Sequence, residues 1–94
     1  MYVRPVGSNT WTVGKLAATT DALQLSTNRY ECAEIFIEND PDNLVDILWG
    51  NSTSQLFQLS PGDSITLPVQ NVNQVYVKTV SSTATVPYAA FKYV

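Results

Sequence analysis

The side chains best placed to do chemistry are acidic. Glu34, Glu38, Asp40, Asp42 and Asp46 crowd into thirteen positions, with Asn39 and Asn43 between them. Oxygen-rich segments of this kind can bind Ca²⁺, but the glycine and distant glutamate of a calcium-binding loop are missing. Turn chemistry accounts for Asp and Asn here without a metal. The chain has no histidine, so the commonest general base and metal ligand is absent. A Ser-His-Asp or Cys-His site is thereby excluded. A carboxylate pair acting on glycosides needs a substrate cleft, which hairpin-length loops can hardly build. The single cysteine, Cys32, opens an alternating apolar run and reads as a small buried hydrophobe. Asn51-Ser52-Thr53 fits an N-glycosylation sequon but reads as a polar loop. Trp11, Trp49 and five tyrosines could stack on sugars, although Trp49 shares its phase with Val45 and Ile47. No catalytic residue, metal or cofactor is expected.

The bulk composition points the same way. Ninety-four residues suffice for one domain, and its core must be thin. Charged residues make up 14% of the chain and apolar residues 45%, against about 25% charged in ordinary soluble domains. Surfaces poor in Lys and Glu are what protein interfaces tend to show. The net charge is −3, and the five basic residues are scattered. Nucleic acid is therefore not an expected partner, because phosphate neutralisation needs a basic stripe. No apolar run approaches the ~20 residues of a membrane span. The start, MYVRPVGSNTW, lacks the continuous apolar core of a secretory signal, so a protein made and kept, or assembled, in a cytoplasm is expected.

Helical periodicity is nearly absent, and short Val/Ile/Thr/Tyr-rich runs bounded by Gly, Pro, Asn, Asp or Ser replace it. CAEIFIE (32–38) turns Ala33, Ile35 and Ile37 one way and Phe36 the other. LVDILWG (44–50) separates Val45, Ile47 and Trp49 from Leu44, Asp46 and Leu48. QLFQLS (55–60) is expected to turn Phe57 and Leu59 inward. SPGD (60–63) has the type II turn pattern, with Pro second and Gly third. Ile65, Leu67 and Val69 should share a side, as should Val75 and Val77, with Tyr76 outward. Pro87 lacks an amide donor and suggests an edge position or a bulge. The fold class is all-β: an antiparallel β-sandwich or small jelly-roll-like barrel of about seven or eight short strands. Residues 1–20 read as an extended N-terminal arm or weak first strand, because Gly7, Gly14 and AATT (17–20) disfavour a packed element. Residues 21–94 read as the sandwich domain. Apolar Phe36, Leu48, Leu56, Tyr76 and Tyr88 fall opposite the expected core, and contiguous exposed apolar surface usually marks a contact site.

These parts, in this order, resemble a small β-sandwich module found in virion proteins of tailed bacteriophages. The resemblance runs through LQL (23–25), CAEIFI (32–37), DPDN (40–43), ILWG (47–50), NSTS (51–54), LSPGDSITL (59–67), NVNQ (71–74) and VYV (75–77). It covers about three quarters of the chain. The first twenty residues do not match, and Trp49-Gly50 replaces a more usual glycine-rich ending. The resemblance implies a structural role without enzyme activity. A stand-alone copy of this size suits a capsid decoration or cement protein on the head surface of a virion. Its partners would be the major capsid protein and its own copies, as a dimer or trimer on the shell. Tyr2, Val3, Trp11, Phe36, Leu48 and Tyr76 are the expected contact residues. Other virion positions (tail, head-tail adaptor or fibre base) and a carbohydrate-binding module are the alternatives.

Overall fold

The structure, a computed structural model, describes residues 11–92. Eight strands follow one another: β1 (Trp11–Ala18), β2 (Leu23–Gln24), β3 (Glu34–Glu38), β4 (Ile47–Gly50), β5 (Gln55–Leu59), β6 (Ser64–Leu67), β7 (Tyr76–Thr79) and β8 (Ala84–Phe91). They form two four-stranded antiparallel sheets, ordered β1-β8-β3-β6 and β2-β7-β4-β5. The chain passes from one sheet to the other at nearly every connection, and its first and last strands pair. This ordering is the double Greek key of a jelly roll.

Alternation builds the core. Ile35 and Ile37 of β3, Ile47 of β4, Val77 of β7, and Val86 and Ala90 of β8 are completely buried between the sheets. Trp49, Ile65, Leu67 and Val69 pack around them, partly buried. The alternating segments thus turn inward the residues that their phase requires.

Three features depart from the sequence reading. First, β1 is one of the two longest strands, although Gly14, Ala17 and Ala18 have poor strand propensity. Pairing with β8 over its whole length, from Trp11↔Phe91 to Ala18↔Ala84, supplies what propensity lacks. Tyr88 turns inward and lies over Gly14, so that a Cβ there would meet the phenol oxygen at 2.6 Å. Tyr88 is therefore not an outer-face residue. Covering a strand glycine with a cross-strand aromatic restores the packing that the missing side chain forfeits.

Second, Pro87 sits in a central strand, not at an edge. The β1–β8 ladder passes it in unbroken register, whereas the β3–β8 ladder ends one residue earlier, at Ile37↔Tyr88. The missing donor therefore faces a position where no ladder bond is required. Third, Phe57 is 59% exposed. It has the inward phase of Gln55 and Leu59, but β5 is an edge strand and no part of the opposite sheet covers it.

The turns hold as their residues suggest. Gly62 has φ +93°, and the Asp63 amide donates to the Ser60 carbonyl at 2.8 Å, closing the type II turn. Asn39 is buried at the end of β3 and knits three loops together. Its Nδ2 donates to the carbonyls of Val45 (3.0 Å) and Leu59 (2.9 Å), and its Oδ1 accepts from Asn43 Nδ2 at 2.6 Å. Its own amide and carbonyl bond Asp63 and Gly62. Asn43 in turn bonds both the carbonyl and the amide of Thr85.

Candidate interaction surfaces

The outer face of β1-β8-β3-β6 is assembled by register. One row across the strands reads Trp11, Phe91, Glu34; the next reads Val13, Ala89, Phe36, Thr66. A third holds Lys15 and Pro87, with Glu38 and Ser64 on the far side. Trp11 (53% exposed), Val13 (64%) and Phe36 (37%) are the prominent apolar side chains. Trp11 stacks on Phe91 with ring centroids 5.8 Å apart, which holds both rings against the sheet. Two expected contact residues that lie far apart in sequence, Trp11 and Phe36, thus share one continuous apolar face.

The other two described contact residues lie on the opposite side of the molecule. On the outer face of β2-β7-β4-β5, Leu48 sits between Lys78 and Gln58, and Tyr76 is opposite Gly50. Leu48 and Tyr76 are half-buried, while Leu56 on the neighbouring edge is 76% exposed. Gln58 Nε2 donates to Asp46 Oδ2 at the margin. Tyr2 and Val3 lie outside the described residues. Leu56 and Val13 are the members that the expected contact set lacked. Leu56 carried a signal, since its phase sets it opposite Gln55 and Leu59. Val13 had none until β1 was paired with β8.

Concavities lie beside these faces among the described residues. An apolar cleft of about 280 Å³ opens between the sheets where edge strands β5 and β6 part, lined by Trp49, Phe57, Leu67, Pro68, Val69 and Val75. Trp49 and Phe57 meet there in a tilted pair at 4.9 Å. A polar hollow of about 470 Å³ lies near Cys32, among Arg29, Glu31, Gln70, Asn71 and Gln74. Its amides serve the fold: Asn71 Oδ1 accepts from the Tyr30 amide at 3.1 Å, and Gln74 Oε1 accepts from the amides of Gln70 and Asn71.

The Cys32 thiol donates to the Val69 carbonyl at 3.3 Å. Burial pushes its pKa above the ordinary value of 9.0, against a smaller opposing pull from Lys92. The thiol is therefore held neutral where a nucleophile would need a thiolate. A raised folded value favours the protonated form, so this contribution to stability is complete below about pH 9 and is lost as pH rises above it. Iodoacetamide should accordingly label the native protein much more slowly than the urea-unfolded chain at pH 8, as read by mass spectrometry. Equal rates would mean that Cys32 is not held in this way.

Among the described residues no group of three or more His, Cys, Asp or Glu could hold a metal ion, and no helix is long and apolar enough to cross a membrane. Within the acidic cluster, Asp40 Oδ1 accepts from the Asp42 amide in its turn and Asp46 Oδ2 accepts from Gln58 Nε2; outside it, Asp63 Oδ2 accepts from the Ser60 amide. No buried side-chain nitrogen or oxygen among the described residues lacks a hydrogen-bond partner. No protein-family model, curated protein or solved structure matches the chain.

Proposed function

We propose that this chain is a structural protein of a tailed-bacteriophage virion, a decoration or cement protein that binds the outside of the assembled head and bridges capsid subunits. The observation that carries the reading is that both outer faces of the sandwich bear apolar side chains, Trp11, Val13 and Phe36 on one and Leu48, Leu56 and Tyr76 on the other. A monomer working alone gains nothing from such faces and is exposed to aggregation. The resemblance of residues 23–93 to a phage virion module supplies the setting, and the jelly roll is a fold that capsid proteins use repeatedly. Fold alone does not decide function; the faces and the absence of histidine turn the reading toward adhesion and away from catalysis. Ligation across subunits adds stability because shell expansion must first break the bridging contacts, and many copies on a symmetric shell multiply weak contacts.

The β2-β7-β4-β5 face is the shell-facing one in this reading. A Leu56→Asp variant should remain folded, since Leu56 is 76% exposed. Its affinity for expanded heads should fall at least about tenfold in co-sedimentation. Unchanged coating by a folded variant would overturn this assignment. Binding to isolated tails and not to heads would move the protein to an adaptor or fibre-base position. Trp11, exposed and stacked on the partly buried Phe91, favours one further reading, a carbohydrate-binding module. Glycan-array binding abolished by Trp11→Ala would support that reading over decoration.

A further inference from the structure

We infer that the outer face of β1-β8-β3-β6 is the protein's own dimer interface, closing two copies face to face about a two-fold axis parallel to the strands. The inference rests on the adhesive reading above and divides the two faces between two partners: this one for a second copy, the other for the shell.

The argument is the placement of charge and bulk across the sheet. Lys15 pairs with Pro87, and extending the β3–β8 register one step beyond Ile37↔Tyr88 puts Glu38 on the other side of Pro87, in the same row. Neither has an ion-pair partner among the described residues, and two strand spacings, about 10 Å, separate them. A two-fold axis running along the strands between β8 and β3 exchanges the two sides of the face while keeping every row at its level. Lys15 of one copy then comes beside Glu38 of the other, and the pair forms twice. The same operation sets Phe36 of one copy over Ala89 of the other, a large ring over the smallest side chain on the face, again twice. Trp11 is brought toward the Pro68 edge. An isologous contact must be complementary to itself in this way. The alternative axis, across the strands, would set Phe36 against Phe36 and leave Lys15 of one copy far from Glu38 of the other, so neither complementarity would form.

The area is sufficient for a modest contact. Strands β1 and β8 of eight residues, β3 of five and β6 of four, at about 4.8 Å spacing and about 3.4 Å rise, give about 400 Å² per copy, about 800 Å² in all. That is the size of a weak, transient contact, so the dimer should dissociate at about 100 μM. Surface ion pairs at its margin make it weaker at high salt.

Charge reversal in the full chain tests the geometry by sedimentation equilibrium. Lys15→Glu sets two acidic pairs in the dimer and Glu38→Lys sets two basic ones, so each variant alone should dimerise at least about tenfold more weakly than the parent. In an equimolar mixture of the two variants, every Glu meets a Lys across the interface, and dimers should return to near the parental affinity. A parent that stays monomeric to about 500 μM, well above the affinity expected of this area, overturns the inference. So does a mixture that dimerises no better than the separate variants, because the two charges would then act only within one copy. Coating of heads by the parent reports the shell-facing reading separately: a parent that coats heads without dimerising sinks this inference alone, while a parent that dimerises but does not coat heads sinks the decoration reading alone.

Discussion

Asn39→Asp should be the most damaging single-atom exchange in the protein, lowering stability by about 4 kcal/mol. The side chain is completely buried. Its Nδ2 group makes two donations, at 3.0 and 2.9 Å, to the carbonyls of Val45 and Leu59. A carboxylate oxygen in that place faces two carbonyl oxygens with no proton between them, in surroundings that already disfavour charge. The Oδ1 contact from Asn43 would survive, but it is one bond against two lost and a charge buried. A domain of this size has about 5–10 kcal/mol to lose. The thermal midpoint, followed by circular dichroism, should drop by about 20 °C.

The pH dependence identifies the cause. Burial raises the introduced carboxyl's pKa in the folded state, so stability is favoured below the unfolded value of about 3.9 and is lost as pH rises toward the folded one. The gap between variant and parent should therefore narrow at pH 4 and widen at pH 8, because the protonated acid restores one donor. A pH-independent gap would mean that lost packing, not misplaced charge, sets the cost.

Gly50→Ala is expected to cost about 3 kcal/mol, a large penalty for one methyl group. A Cβ at Gly50 would overlap the Ser54 carbonyl oxygen and lie 2.9 Å from Gln55 Cα and 3.0 Å from Ser54 C. All three are backbone atoms, so no rotamer relieves the clash. The register shift between Trp49 and Gly50 brings the returning chain this close, and residues 51–55 cannot easily withdraw. Asn51 Oδ1 accepts from the amides of Thr53 and Ser54, both at 2.9 Å, and the Asn51 carbonyl accepts from Gln55 Nε2 at 2.7 Å. Gly62→Ala is the control. Gly62 has φ +93° but nothing within 4 Å of an added Cβ, so only conformational strain of about 1 kcal/mol is at stake. Chemical denaturation should rank the two variants in that order. Equal midpoints would show that the 51–55 loop yields freely. The β4–β5 hairpin also carries Leu48 and Leu56, so a displaced loop should weaken shell binding as well.

The two glycines show where sequence reasoning reaches and where it stops. The Pro-Gly-Asp signal specifies its own turn, because positive φ at Gly62 is a local requirement. The need for glycine at position 50 arises from a neighbour that approaches only once β4 and β5 are paired. The same division runs through the fold. Ile35, Ile37, Ile47 and Val77 were legible as core because alternation is local. Strand β1 was hard to see, since its partner β8 is some seventy positions away in sequence and Gly14 argues against a strand until Tyr88 covers it. Phe57 was misassigned because alternation tells direction and not coverage. Asn39 was read as a turn residue, yet it continues the inward phase of Ile35 and Ile37, and that phase was the available sign of a buried polar anchor.

The contact residues follow the same rule. That Phe36 and Leu48 oppose the core was visible from their own strands. That Trp11 joins Phe36 on one face, with Leu48 and Tyr76 on the other, depends on the order β1-β8-β3-β6 and β2-β7-β4-β5. No short-range pattern encodes that order; it is set by long-range pairing.

A cryo-electron microscopy map of expanded heads with the protein bound tests adhesion through the sheet faces most directly. The account predicts density from the shell against Leu48, Leu56 and Tyr76, and neighbouring copies meeting through Phe36 and Ala89. Bound copies held by loops alone, with both sheet faces open to solvent, would contradict it.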